Sequence, residues 1–235
     1  METNTNTNKI CQCCGKPLGD NAIFYVNGMG FCNKECEARF NNFEQFKGDI
    51  SEVIYAKTLP LYRNNDIERI KSHLEKPEKV DRILNWRMGN RGLAIMGSTG
   101  CGKTRLLTEL LKKLIKEDLV GITSTLEVFY AGELERAILE SFKTSAQYAR
   151  LMTHLENCDL LVIDDFGKER FTERFELSVF QIFEKRMAMM KPTIFTTNYK
   201  GEEFKARFSD AQNYEPLSRR INENFDRVLL TKKGN

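Results

Sequence analysis

From residue 91 onward, short apolar runs alternate with longer stretches in which apolar residues return every three or four positions. Strands joined by amphipathic helices produce this pattern. Strands are predicted at Leu93–Met96, Ile122–Thr125, Leu160–Ile163, Thr193–Thr196 and Val228–Leu230. The intervening periodicity predicts helices over Lys103–Glu117, Glu127–Leu139, Ala146–Glu156 and Glu173–Met189. The expected fold class is therefore α/β, with a five-stranded, mostly parallel sheet flanked by helices.

The pattern changes towards the N-terminus. Residues 1–10 are a polar Thr/Asn repeat and read as a disordered tail. Residues 11–48 hold five of the seven cysteines and read as a separate small module. Residues 49–75 form a connector that carries Pro60 and Asn64-Asn65-Asp66 and leads into a helix near Asp66, and residues 76–235 form the main domain.

Composition narrows the class only slightly. A hydrophobic fraction of 41% with 29% charged residues suits a globular chain. Lysine and arginine number 36 against 33 acids, so the net charge of +3 neither demands nor excludes a nucleic-acid partner. The start lacks a secretory signal and no apolar run approaches a membrane span, so no membrane role and a cytoplasmic location are expected. Cysteines in that compartment act as metal ligands or buried thiols.

Candidate chemistry begins at Gly97-Ser98-Thr99-Gly100-Cys101-Gly102-Lys103-Thr104. It fits G-x-x-x-x-G-K-[ST], directly after a strand and at the start of a helix. Glycines let successive N–H groups turn towards phosphate oxygens, and the helix adds the positive end of its dipole. All eight residues are expected to bind ATP. Lys103 would reach the β and γ phosphates, and the Thr104 hydroxyl would ligate Mg²⁺. Cys101 is read as a small residue pointing away from the phosphates.

Asp159-Leu160-Leu161-Val162-Ile163-Asp164-Asp165 ends a buried strand in two carboxylates. Asp164 is expected to hold Mg²⁺ through water. Asp165 is expected to point the other way, as strand neighbours do, and to polarise the attacking water. Thr196-Thr197-Asn198 closes the next strand and offers the Asn198 amide beside the γ-phosphate. Pro216-Leu217-Ser218-Arg219-Arg220-Ile221 offers two arginines at an expected helix start, and a guanidinium from a neighbouring subunit would stabilise transition-state charge. Arg219 is preferred, with Arg220 the competitor.

Cys11-Gln12-Cys13-Cys14 and Cys32-Asn33-Lys34-Glu35-Cys36 give C-x₂-C and C-x₃-C pairs. Two such knuckles suit a closed tetrahedral Zn²⁺ site, and so small a unit needs a staple to fold. Cys11, Cys14, Cys32 and Cys36 are the expected ligands, with Cys13 competing in the first pair. Phe40, Phe43 and Phe46 recur on one helical face and are read as packing for this module. His73, His154 and Cys158 are read as structural, and Lys112, Lys113 and Lys116 as a solvated face.

From about Pro60 to the end, the chain resembles the DnaC/DnaI-type replicative helicase loaders and the related IstB-type transposition helper ATPases. The resemblance rests on Arg91-Gly92-Leu93-Ala94-Ile95-Met96 before the loop, on Asp164-Asp165-Phe166-Gly167, on Thr193-Ile194-Phe195-Thr196-Thr197-Asn198 and on Leu217-Ser218-Arg219. It implies an AAA+ ATPase whose arginine finger, matched by Arg219, completes the site of an adjacent subunit, so that hydrolysis depends on self-association. Only 16 residues follow Arg219, too few for the helical lid of most AAA+ proteins, so that lid is expected to be absent. Asp165 stands where many AAA+ proteins have glutamate. The resemblance further implies a small zinc module that contacts the helicase, a hexameric replicative helicase as partner, and single-stranded DNA. The alternatives are a transposition helper ATPase, or a zinc-bearing nucleic-acid adaptor with a non-catalytic phosphate loop.

Overall fold

The structure is a computed structural model that describes residues 24–26, 29–31, 34, 60–62, 64–117, 126–168, 171–208 and 211–234. The N-terminal tail, the four expected zinc ligands, Phe40, Phe43 and Phe46, and the strand expected at 122–125 lie outside the described residues. The chain divides into two units, Met1–Lys57 with Leu114–Thr123, and Thr58–Lys113 with Ser124–Asn235. In the first, β1 (Phe24–Val26) and β2 (Met29–Phe31) form an antiparallel hairpin with Phe24 opposite Phe31.

In the second unit a 3₁₀ turn at Pro60–Tyr62 precedes α1 (Ile67–Ser72) and α2 (Glu78–Leu84). Asp66 caps α1 by accepting the Arg69 N–H, satisfying one of the free donors of its first turn. Then follow β3 (Gly92–Gly97), α3 (Lys103–Glu117), β4 (Leu126–Tyr130), α4 (Ala131–Ser141), α5 (Ser145–Asn157) and β5 (Leu160–Asp164). The chain continues through α6 (Glu173–Ala188), β6 (Thr193–Thr197), α7 (Gly201–Lys205), α8 (Ala211–Asn224) and β7 (Phe225–Leu230). The five strands β3 to β7 are all parallel, in the order β4-β5-β6-β3-β7. This is the α/β class and strand number read from the apolar runs.

Every residue of β5 and β6 is buried, so both faces of the sheet centre are covered. On α3, Leu106, Leu110 and Leu114 recur at four-residue spacing and are fully buried. On α6 the buried stripe is Phe175, Val179, Ile182, Phe183 and Arg186. An aromatic core centres on Phe166, which packs 5.7 Å from Phe183, 5.6 Å from Phe195 and 5.7 Å from Phe204, ring centre to ring centre. Phe166 follows the paired aspartates, so the core anchors the turn that carries them.

Two expected boundaries are corrected. The stretch expected to open a helix at Glu127 is strand β4, which pairs with β5 from Leu126 opposite Leu160 to Tyr130 opposite Asp164. Its Val-Phe-Tyr content favours a strand, and the Glu133 side chain accepts the Tyr130 N–H to start the helix only at Ala131. Arg219 and Arg220 do not lie at a helix start. Helix α8 begins at Ala211 and runs through Pro216, which forgoes one backbone hydrogen bond.

Arg91 and Gly92 tie the sheet edge together. The Arg91 guanidinium donates to Glu223 O at 2.7 Å, Phe225 O at 2.9 Å and Asp226 Oδ1 at 3.1 Å. A Cβ on Gly92 would meet the Phe225 ring at 2.3 Å, so only glycine lets β7 approach there. Among the described residues, no helix is long and apolar enough to cross a membrane.

Candidate functional site

The loop between β3 and α3 is shaped by glycines. A Cβ on Gly97 would stand 2.5 Å from Leu230 O, and Gly102 has φ +88 with Ile70 of α1 directly above it. Helix α1 therefore lies against the loop. Cys101 is buried and its thiol donates to Ser98 O at 2.6 Å, so it braces the loop from within.

Lys103, at the first position of α3, is only 6% exposed. Its ammonium donates to Gly97 O at 2.9 Å, Ser98 O at 3.1 Å and Asn198 Oδ1 at 2.6 Å. Burial pushes the Lys103 pKa down, against the pull of the Asp165 and Asp164 carboxylates. The Asn198 amide in turn donates to Asp165 Oδ1 at 3.4 Å, so one side chain bridges the loop lysine and the second aspartate.

The two aspartates occupy different environments. Asp164 is 4% exposed and accepts from Thr104 Oγ1 at 2.9 Å and from Thr196 Oγ1 at 2.5 Å. Burial pushes its pKa up, while the Thr196 and Thr104 hydroxyls hold it down. Asp165 lies beyond the strand end, with φ 58, and lines the open cavity. Their divergence comes from this left-handed turn, rather than from strand alternation. The turn is pinned by Thr196, whose hydroxyl accepts the Asp165 N–H at 2.9 Å, and by Phe166 N–H donating to Thr196 O at 2.7 Å.

A cavity of about 780 Å³ opens above the loop and is lined by Thr99 to Thr104, Asp165 and Asn198. Connector residues Tyr62, Arg69, Ile70 and His73 line it as well. The Arg105 guanidinium sits 5.4 Å from the Tyr62 ring centre and donates to Leu61 O and Asn65 Oδ1, both at 3.0 Å. The cavity thus brings an aromatic ring together with a glycine-rich loop and a buried ammonium, a combination that suits a nucleotide.

Thr104, which lines the cavity, donates its hydroxyl to the buried Asp164 carboxylate, and these hard oxygen donors could hold Mg²⁺. Among the described residues no group of three or more His, Cys, Asp or Glu side chains could hold a metal. Cys11, Cys14, Cys32 and Cys36 lie outside the described residues.

Arg219 is not brought to this cavity; it is exposed on α8. Arg220 pairs with Glu184 of α6 at 2.5 Å, a tie between two helices of the same chain. His73 ends α1 against Arg69 O, and His154 pairs with Glu127 at 2.8 Å. The roles of Thr196, Tyr62 and Arg105 are not legible from motif spacing. Thr196 belongs to the Thr196-Thr197-Asn198 run, but only strand pairing places its hydroxyl between the two aspartates.

A model of the IstB-like ATP binding protein family matches residues 68–231. The chain is 24% identical over 140 residues to the replicative helicase loader DnaI of Bacillus subtilis, covering 59% of this chain and 43% of that protein. It is 26% identical over 150 residues to the replicative helicase loader DnaC of Escherichia coli, covering 61% and 59% respectively. The chain thus spans about half the length of the curated relatives it matches. Among solved structures it shares the fold of a DnaC helicase loader, with a TM-score of 0.56, 20% identity, and coverage of 76% of this chain and 98% of that one.

Proposed function

The chain belongs to the IstB-like ATP binding protein family, and from that premise we propose that it is an AAA+ ATPase that loads or remodels a replicative DNA helicase on single-stranded DNA. The observation that carries the ATPase reading is the hydrogen-bonded relay Lys103–Asn198–Asp165, standing beside the Thr104–Asp164 pair in one cavity. The helicase and the DNA rest on the likeness to proteins named as helicase loaders.

In this reading the loop N–H groups from Ser98 to Thr104 cradle the phosphates, and Lys103 moves from Asn198 to the β and γ oxygens. Thr104 and Asp164 would hold Mg²⁺, which when bound would supply neutralisation of the phosphate charge. Asp165 accepts the proton of the attacking water while Asn198 orients that water, yielding ADP and phosphate. Arg219, exposed on α8, serves the site of a neighbouring subunit, so turnover is slow in the monomer. Cys11, Cys14, Cys32 and Cys36 bind Zn²⁺ and present the helicase-contacting module.

Hydrolysis measured with and without a hexameric replicative helicase and single-stranded DNA tests the whole. Turnover should rise on assembly, and mixing Arg219→Ala with Lys103→Ala chains should restore part of the activity that each lacks alone. Absence of helicase capture by the full chain, together with background turnover under every condition, would overturn the proposal. A likeness to a protein named as a putative insertion sequence ATP-binding protein supports a second reading, a transposition helper ATPase, which capture of a transposase instead of a helicase would favour.

A further inference from the structure

Strand β7 continues beyond the sheet. Glu75 N–H donates to Thr231 O at 3.0 Å, Lys233 N–H donates to His73 O at 3.0 Å, and Leu74 faces Lys232 in an antiparallel bridge. The backbone on both sides of Lys232 is therefore clamped to the segment that follows α1. The Lys233 ammonium is spent on Ser72 O at 2.9 Å. The Lys232 side chain instead lies over the phosphate loop, where a Cβ built on Gly100 would stand 2.9 Å from its Nζ. It lines the same cavity as Lys103, Thr104, Asp165 and Asn198.

The cavity is lined by the cations Arg69, Lys103, Arg105, Lys168, Lys232 and Lys233 against the carboxylates Asp66 and Asp165, a surplus of positive charge that suits a polyphosphate, and of these Lys232 is the one over Gly100 of the loop. It is close enough to Lys103 to add to the lowering of that lysine's pKa, after burial. Among the described residues no carboxylate pairs with Lys232. An ammonium and a row of loop amides converge on one space, and an anion with several oxygens satisfies both.

We propose that Lys232 is a second phosphate-binding cation, delivered to the nucleotide by the extension of β7. The inference rests on the nucleotide reading of the loop. Because Lys232 is bridged to Leu74, phosphate binding also fastens the end of β7 to the connector.

The test is binding of labelled ATP by the full chain at millimolar Mg²⁺ and at two salt concentrations. Lys232→Met keeps the aliphatic stem and removes the charge; it should weaken binding about tenfold or more and flatten the salt dependence. Lys232→Arg should recover most of the loss, and Lys233→Ala should change affinity by less than about twofold, on the ground that its ammonium is engaged elsewhere. Unaltered thermal melting of Lys232→Met assigns the loss to the missing charge. Wild-type affinity in Lys232→Met, or an equal loss in Lys233→Ala, would overturn the assignment while loss of binding in Lys103→Met left the nucleotide site standing. Wild-type binding in Lys103→Met would instead remove the nucleotide reading itself, and this inference with it.

Discussion

Lys103 and Asn198 are 95 residues apart and joined by a 2.6 Å hydrogen bond, because β6 lies between the loop strand β3 and the acidic strand β5. Parallel pairing of Met96 with Thr197 brings the ends of β3 and β6 to one level, and the next residue on each is Gly97 and Asn198. Asn198→Ala removes both the acceptor that holds Lys103 and the donor to Asp165. The expected result is a fall in kcat of roughly 10- to 100-fold with a smaller change in KM, as for a group that orients water in the transition state. Steady-state hydrolysis in the presence of partner checks this; an effect on KM alone would assign Asn198 to ground-state binding.

Asp164 should make the nucleotide-free protein pH-sensitive. Burial raises its pKa, so the folded chain binds that proton more tightly than the unfolded chain does. Stability is consequently lost as pH rises from the ordinary carboxylate range, about 3.9, through the raised folded value. Asp164→Asn imitates the neutral acid, keeps an acceptor for Thr196 and offers a donor to Thr104. At pH 7 without nucleotide it should melt a few degrees higher than the parent, roughly the shift of 1 kcal/mol or less in a domain of this size, while losing Mg²⁺-dependent hydrolysis. The melting difference should shrink as pH approaches 4. A difference independent of pH would show that Asp164 ionisation is not its source.

Much of this architecture is legible in residue order, and the exceptions have physical causes. Apolar runs locate β3, β5 and β6 because central strands must be buried on both faces, and the glycines of residues 97–104 announce the loop through their spacing. β4 was not legible at its true position: an edge strand is only half buried, and Leu126 to Tyr130 also carries the helix-compatible Glu127. The start of α8 was misread because Pro216 normally opens a helix, whereas here it sits inside one. Thr196 and Lys232 acquire their positions from register and a strand extension, which no local spacing encodes.

Among the described residues Arg186 is the largest fully buried side chain, and no carboxylate is hydrogen-bonded to it. Its guanidinium donates to Thr193 Oγ1, Leu155 O, Cys158 O, Cys158 Sγ and Pro192 O, so it joins α6 to the entries of β5 and β6. Burial lowers its pKa, and the carbonyl cage keeps the cation bound nonetheless. Arg186→Met fills similar space but leaves three buried carbonyls short of donors. The expected cost is roughly 2–4 kcal/mol, read as a lower denaturation midpoint with unchanged m-value. A midpoint within error of the parent would mean that water enters and satisfies the cage.

Thr196 offers a sharper separation of structure from chemistry. Its hydroxyl donates to Asp164 Oδ1 and accepts the Asp165 N–H, and the residue is fully buried. Thr196→Val preserves the shape, so the change isolates two hydrogen bonds. Loss of an unreplaced buried partner costs about 1–3 kcal/mol. The hydroxyl also holds the Asp164 pKa down, so its removal lets that pKa rise further, and a smaller fraction of Asp164 is ionised at any given acidic pH. The acid limb of the pH–rate profile for Mg²⁺-dependent hydrolysis should therefore move to higher pH in Thr196→Val, while Thr196→Ser, which retains the hydroxyl, should keep the parental limb. An unmoved limb in the valine variant, with the stability loss still present, would confine Thr196 to a structural part and detach it from the ionisation of Asp164.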